Sequence, residues 1–347
     1  MASGPRAEPS RILVVLLGAI GDVVRAMPLV MRVRRAFPAA RVAWAVEPAA
    51  APLLERHPAI DERIVFRRDR GARAFLEFLG QVRARRFDLA LDLQRHLKSG
   101  IVSRSSGARR RVGFHRSNTK EGNWLFNNEW ISPQRHWSSK LLQYQAFAEH
   151  LGLPPAPIDF ALSLRSEEEE EERVDELLAP LRAPFVAAFV GSTWDSRWWL
   201  AERTAAVLRT LRVRFGLKAV LLGAPGREAA FARQVEAGSD GSVLNLAGQT
   251  SLRDLIGIFA RARAAFGPDS GPMHIAAAVG TPVVSLWGAT SPLRSAPYAA
   301  EDLARVGHVA CHPCYLRECP VERLCMQQIG VDAVVEAVAA GLRRRAA

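Results

Sequence analysis

Apolar residues in this chain fall into short unbroken runs that alternate with longer stretches of helical period. Residues 12–17 are continuously apolar and stop at Gly18, and residues 23–37 then carry apolar side chains every three to four positions. This is the pattern of a buried strand, a tight loop and a helix. Further strand-like runs lie at 41–46, 63–66, 87–93 and 111–114, with helical stretches at 72–85 and 137–151. The alternation restarts with strand-like runs at 185–190, 218–222, 264–266 and 283–286, and helical patterns at 200–215, 227–237, 252–262, 273–279 and 332–345. Apolar strands separated by amphipathic helices predict parallel sheets covered on both faces. Two such series in 347 residues predict an α/β chain of two Rossmann-like domains facing across a cleft. The boundary is expected between residues 165 and 166, with the last helix able to pack back on the first domain.

The junction reads S-E-E-E-E-E-E-R over 166–173. Ser166 suits an N-cap and the glutamates suit a first turn, so a solvated helix is expected to about residue 178. The longest apolar runs are strand-sized or broken by Gly and Pro, well short of the about 20 residues of a membrane span. The first ten residues are polar and lack the apolar stretch of a secretory signal. A cytoplasmic location is therefore expected.

Charge changes this picture in one respect. The net charge is +12, yet residues 1–160 hold 26 Lys/Arg against 14 Asp/Glu, while the remainder holds 21 of each. The whole excess sits in the first half and predicts an anionic partner there. Only Lys98, Lys120, Lys140 and Lys218 are lysines. A preference for arginine accounts for that choice of cation but not for the imbalance in one half. No nucleic-acid motif accompanies the charge, and the aromatic residues do not interleave with the basic runs as a stacking platform requires, so nucleic acid is not an expected partner.

Three loops after predicted strands carry candidate chemistry. The first is Gly18-Ala-Ile-Gly21-Asp22. Its glycines admit close backbone approach and the following helix favours an anion, but it is neither a dinucleotide fingerprint nor a P-loop. Asp22 reads either as a general base or as the helix cap. The second runs from Gly191 through Ser192, Thr193 and Arg197 to Trp199. Two hydroxyls and a cation suit a diphosphate, and the alternative is a Ser/Thr turn with aromatic packing. Three Trp within six residues must cover something. The third is Gly267-Pro-Asp269-Ser270-Gly271-Pro-Met-His274. The amides near Ser270 and Gly271 form an anion site at a helix start, with Asp269 and His274 beside it, although a histidine in such a helix is as readily a packed core residue.

Taken together and in order, these loops resemble glycosyltransferase family 9, the bacterial lipopolysaccharide heptosyltransferases. The likeness is carried by R-I-L-V-V-L-L-G-A-I-G-D-V-V-R-A-M-P from Arg11, L-A-G-Q-T-S-L-R-D-L from Leu246, and G-P-D-S-G-P-M-H-I-A-A-A-V-G-T-P-V-V-S-L-W-G from Gly267. The resemblance implies a GT-B fold, ADP-heptose as donor, and transfer with inversion to an inner-core lipopolysaccharide acceptor without a required cofactor or metal. It implies Asp22 as the base, with Gly18 and Gly21 in the acceptor-side loop. It implies Ser192, Thr193, Arg197, Asp269, Ser270, Gly271 and His274 around the donor phosphates, and Glu228 near the nucleoside. Arg197 stands where better-known members have Lys. The partners implied are a nucleotide sugar and an anionic, lipid-linked glycan, which the basic first half would bind, with peripheral contact at the cytoplasmic face of the inner membrane. Arg-rich segments at 67–70, 83–86 and 109–111 are the candidates for that contact.

Two questions stay open on the residues. Cys311, Cys314, Cys319 and Cys325 are the chain's four cysteines, close together, with His308 and His312 nearby. Clustered thiols suit a metal, while a loop of reduced thiols is the plainer reading. A family member with another sugar or acceptor, or a silent nucleotide or glycan binder, is the alternative function.

Overall fold

The computed structural model describes residues 8–164, 167–181, 183–241 and 243–346. The chain divides between Ala161 and Leu162 into two units. Arg165 and Ser166, which carry the expected boundary and the expected N-cap, lie outside the described residues.

The first unit runs β1 (Arg11–Val15), α1 (Ile20–Ala36), β2 (Arg41–Val46), β3 (Glu62–Val65), α2 (Gly71–Ala84), β4 (Leu89–Asp92), α3 (Leu97–Ser105), β5 (Arg110–Gly113), β6 (Glu129–Trp130) and α4 (Lys140–His150). Its strands order as β3-β2-β1-β4-β5-β6, and every pairing is parallel. The apolar runs become strands because β1, β2 and β4 are buried on both faces, and alternation is not required there. Trp44 of β2 is fully buried and satisfies its indole by donating to the Leu16 carbonyl at 3.1 Å. Arg32 fixes α1 by donating to Gln145 Oε1 of α4 at 2.9 Å and to the Pro154 carbonyl at 2.8 Å.

The second unit repeats the plan with α5 (Glu168–Leu178), β7 (Phe185–Phe189), α6 (Ala201–Phe215), β8 (Lys218–Leu222), α7 (Arg227–Ala237), β9 (Val243–Asn245), α8 (Leu252–Arg261), β10 (Ala264–Pro268), α9 (Gly271–Ala278), β11 (Val283–Trp287), α10 (Pro292–Ser295), β12 (Arg305–Val306), α11 (Leu324–Gln328) and α12 (Val331–Ala346). The order is β12-β11-β10-β7-β8-β9, again parallel throughout. Numbered within the unit this is the same sequence of strands as in the first, the doubly wound Rossmann order. In each sheet the order reverses between two central strands: β1 and β4 in the first, β7 and β10 in the second.

Several details depart from the pattern reading. The glutamate run is not simply solvated: Glu170 takes a two-pronged bond from Arg253 of α8 at 2.5 and 2.6 Å, and Glu171 pairs with Arg261. The start of α8 is held by a reciprocal cap, Ser251 Oγ accepting from the Asp254 amide at 3.1 Å while Asp254 Oδ2 accepts from the Ser251 amide at 2.8 Å. The last helix, α12, packs on α6, β10 and β11 of its own unit. No helix among the described residues is long and apolar enough to cross a membrane.

The sequence reading passed over a buried carboxylate. Asp92, at the end of β4, is wholly enclosed and accepts from Asn123 Nδ2 at 2.7 Å and Asn127 Nδ2 at 3.2 Å. Burial pushes its pKa up to about 6, against the opposing hydrogen bonds from Asn123, Asn127 and Ser99. The folded state therefore binds the proton more tightly than the unfolded chain, and Asp92 destabilises the fold as pH rises from the ordinary carboxylate range through about 6. Asp92→Asn removes this titration. Between pH 4 and pH 7 the stability difference should move in favour of the variant by up to about 3 kcal/mol. Urea unfolding of both proteins across that range tests this, and parallel pH curves would contradict the assignment.

Candidate functional site

In the second unit four loops meet where β7, β8, β10 and β11 end. Gly267 sits in β10 because a Cβ there would come within 2.3 Å of the Phe189 carbonyl of β7, so the two central strands approach as only glycine allows. The chain then turns through Asp269 and Ser270 into α9, whose N-cap is Ser270. Asp269 is nearly enclosed, and its Oδ2 receives the Thr290 hydroxyl at 2.7 Å and Arg197 Nη1 at 3.1 Å. Its main-chain carbonyl receives the Ser192 hydroxyl at 3.2 Å and Arg197 Nη1 at 3.3 Å. The Ser270 hydroxyl is buried without a hydrogen-bond partner. His274, one turn into α9, is buried as well.

The tryptophans behind this loop have distinct tasks. Trp198 donates to the Ser192 carbonyl at 2.7 Å and Trp199 to the Met326 carbonyl at 3.1 Å, both nearly enclosed. Trp194 lies under the Arg197 guanidinium at 3.9 Å. Arg197 is thereby fixed by an aromatic face, a carboxylate and a carbonyl. The adjacent hydroxyls diverge in environment, since Ser192 is buried and bonded while Thr193 is exposed. Glu228, second in α7, accepts the Ala224 amide at 2.7 Å and lies directly over Gly191, where a Cβ would fall 2.0 Å from its carboxyl carbon. Burial pushes the Glu228 carboxyl up, partly offset by that amide. The structure thus gathers Gly191, Ser192, Arg197, Glu228, Asp269, Ser270 and the Gly271 helix start at one set of strand ends. Thr290 joins them unforeseen, because its partner lies 21 positions away and no local pattern marks it.

In the first unit, α1 begins at Ile20 with Ala19 as N-cap, so Asp22 is not the cap. Its carboxylate is gripped by two cations. Lys140 Nζ of α4 donates to Oδ1 at 2.8 Å and Oδ2 at 3.1 Å, and Arg25 bonds Oδ1. Burial alone would push the Asp22 carboxyl up, but Lys140 and then Arg25 outweigh it and hold it well below the usual carboxylate range. Gly21 is buried in the same turn, and Gly18 stands against Glu47, whose Oε2 would lie 3.5 Å from a Cβ. Across the strand-order reversal, Gln94 Oε1 accepts the Leu17 amide at 3.2 Å, tying the loop after β1 to the end of β4.

A family model for glycosyltransferase family 9 (heptosyltransferase) matches residues 75–325. The chain belongs to that family. Among curated relatives, the lipopolysaccharide core heptosyltransferase OpsX of Haemophilus influenzae is 28% identical over 292 residues, covering 84% of this chain and 82% of that protein. The crystal structure of a family 9 glycosyltransferase from Veillonella parvula superposes with a TM-score of 0.83 at 22% identity, covering 96% of this chain and 98% of that one. The Escherichia coli heptosyltransferase WaaC, solved with ADP-2-deoxy-2-fluoro heptose, superposes with a TM-score of 0.73 at 21% identity, covering 95% and 99%. These likenesses establish the GT-B fold expected for this glycosyltransferase.

The remaining candidates of this family 9 glycosyltransferase sort by their partners. Arg85 pairs with Glu62 at 2.5 Å, Arg110 takes a fork onto Glu129 at 2.7 and 2.8 Å, and Arg111 donates to the Ala108 and Phe126 carbonyls. These arginines brace the unit. Arg67, Arg68 and Arg70 are exposed. The four cysteines are free thiols that line one mostly apolar cavity of about 210 Å³. Cys319 Sγ accepts the Arg323 amide at 3.2 Å, and burial pushes the Cys325 thiol up. Among the described residues no group of three or more His, Cys, Asp or Glu side chains is set to hold a metal ion.

The contact of Gly191 with Glu228 gives a test. Gly191→Ala should displace the end of a flexible side chain rather than backbone, leaving stability within about 1 kcal/mol of the parent. If Glu228 contacts the nucleoside, Gly191→Ala and Glu228→Gln should each weaken ADP binding, and the double variant should be no weaker than the worse single. Calorimetric titration decides it, and additive losses would place the two residues in separate roles.

Proposed function

We propose that this chain transfers heptose from ADP-heptose to an inner-core lipopolysaccharide acceptor with inversion at the anomeric carbon. The observation that carries the reading is the fixed cation, orphan hydroxyl and helix start gathered at the reversal of the second sheet. That constellation suits a diphosphate, as the curated relatives' names and the nucleotide-sugar analogue bound to WaaC also suggest. The second unit takes the nucleotide sugar, with Glu228 at the nucleoside. The basic first unit takes the anionic acceptor, and exposed Arg67, Arg68 and Arg70 face a lipid-linked glycan or the inner membrane surface.

In the reaction the acceptor oxygen bonds to the anomeric carbon as the bond from that carbon to the β-phosphate oxygen breaks. The acceptor proton passes to Asp22, and ADP leaves with the electron pair. Charge developing on the departing phosphate is met by Arg197, the Ser270 hydroxyl and the first free amides of α9. A carboxylate held as low as Asp22 is a weak base, so it accepts the proton late, once the attacking oxygen has acquired positive character. Oδ2 is the less committed oxygen and the one offered to the acceptor hydroxyl, since it takes only the longer Lys140 bond while Arg25 and the shorter Lys140 bond fall on Oδ1.

ADP release from ADP-heptose with a heptose-deficient lipopolysaccharide acceptor tests this. Asp22→Asn should lower acceptor-dependent release by about 10²- to 10⁴-fold, with ADP affinity unchanged. Wild-type activity should show no acid-side fall from Asp22 in the range pH 5–8, because that carboxyl stays ionised. Release that survives the substitution would remove Asp22 from the role. Wild type that binds ADP yet releases none from ADP-heptose would overturn the donor or acceptor assignment.

A further inference from the structure

Arg294 lies in the four-residue helix α10, in the segment that follows β11. Its side chain is half-buried, and its Nε is enclosed with no hydrogen-bond partner. Among the described residues it makes no hydrogen bond and no ion pair. A half-buried guanidinium without an anion is costly in proportion to its burial, because arginine cannot shed its charge to relieve it. The other arginines with an enclosed Nε, such as Arg32 and Arg34, spend their remaining nitrogens on carbonyls or carboxylates. Arg294 does not.

Its position gives that cost a purpose. The segment carrying Arg294 is tied to the diphosphate loops four residues earlier, where the Thr290 hydroxyl bonds Asp269 Oδ2 at 2.7 Å. Tyr315, beyond β12, docks on this segment, its amide donating to the Ala289 carbonyl at 2.8 Å. The Tyr315 phenol is within electrostatic reach of Arg294, of Arg197 and of Asp269, so each guanidinium lies in the neighbourhood of that phenol. They are not equivalent in charge. Arg197 is already compensated by the Asp269 carboxylate at 3.1 Å, leaving that pair close to neutral. A nucleoside diphosphate leaving group carries at least two negative charges and needs a cation that the protein has not already neutralised.

We propose that Arg294 is a second phosphate-binding cation of the donor site, which contacts the diphosphate of the nucleotide sugar and stabilises the nucleoside diphosphate as it departs. This rests on the reading of the second unit as the nucleotide-sugar site. Arg197 orients, being locked between Trp194 and Asp269, and Arg294 supplies the net charge. The buried Ser270 hydroxyl completes the set.

The test titrates ADP, AMP and adenosine into wild type, Arg294→Gln and Arg294→Lys by calorimetry, with apo melting temperatures alongside. Losing a charged hydrogen bond should weaken ADP by about 10- to 100-fold in Arg294→Gln. AMP should lose less, adenosine should be unchanged, and Arg294→Lys should recover part of the ADP affinity. The apo melting temperature of Arg294→Gln should equal or exceed that of wild type, since no partner is lost. A purely structural arginine would instead lower it. If wild type binds ADP and Arg294→Gln binds it equally well, the proposal is wrong. A rise confined to the acceptor KM would move the residue to an acceptor phosphate and also overturn it. Failure of wild type itself to bind ADP would defeat the nucleotide-sugar reading of the whole unit, and the Arg294 proposal with it.

Discussion

The carbonyl and carboxylate of Asp269 together receive the Ser192 hydroxyl, the Arg197 guanidinium and the Thr290 hydroxyl. Loops leaving three different parallel strands are thereby held in one arrangement by one residue. A parallel sheet needs such a device. Its strand ends point the same way, and at a reversal of strand order the connections depart to opposite faces and leave a crevice. Nothing in the sheet itself fixes the distance between those connections. Asp269 does, and it can do so because the glycine two positions earlier lets β10 meet the β7 carbonyl closely. With its carboxylate committed to protein groups, Asp269 positions Arg197, and under the proposed function it is not itself a phosphate contact.

The first unit applies the same geometry to a different electrostatic end. Asp22 and Asp92 flank the strand reversal there, Asp22 half-buried and Asp92 wholly enclosed, and their pKa values move in opposite directions. Desolvation is the largest single influence on each. Asp22 has Lys140 and Arg25 to overcome it, whereas Asp92 has only amide and hydroxyl donors from Asn123, Asn127 and Ser99. A carboxylate at the start of α1 and one at the end of β4 are thus separated into one that stays ionised and one that titrates at about 6. The loop at Gly18–Asp22 is held from beneath by the Gln94 bond to Leu17, so the neighbourhood of Asp92 also sets the floor on which Asp22 stands.

What was legible in the sequence follows from range. β1, β2, β7 and β11 are runs of buried residues, and burial on both faces leaves a continuous apolar signal. The edge strands β6, β9 and β12 are two or three residues long and pair on one side only, so no periodicity marks them. The short helix α3 is missed because buried Ser99, Gly100 and Ser103 blur its apolar stripe. The glycine-bearing loops could be read because each follows its strand directly. The groups that complete them could not. Thr290, Lys140 and Asn123 owe their roles to partners 21, 118 and 31 positions away. Within the glutamate run, Glu170 and Glu171 were read as solvated for the same reason, their arginine partners lying more than 80 residues on, while Glu168, Glu169 and Glu172 are exposed as expected.

Arg294 and Ser270 show where local consistency and the demands of a binding site part company. A chain selected for stability alone would give a half-buried guanidinium an acceptor and a buried hydroxyl a partner, as it does at Arg110 and Ser103. Ser270 instead directly follows the residue whose carboxylate organises the strand ends, and Arg294 comes four residues after the Thr290 that bonds this carboxylate. Leaving them unpaired lowers the stability of the empty protein. Under the proposed function, an arriving diphosphate would displace no internal partner of either group, so the full strength of each contact would go to the ligand rather than to exchange. The asymmetry between the two arginines follows. A cation neutralised by Asp269 is held rigidly but attracts little, while a cation left open attracts strongly but lacks an internal brace. A site that must both orient a nucleotide sugar and stabilise its leaving group is served by one of each.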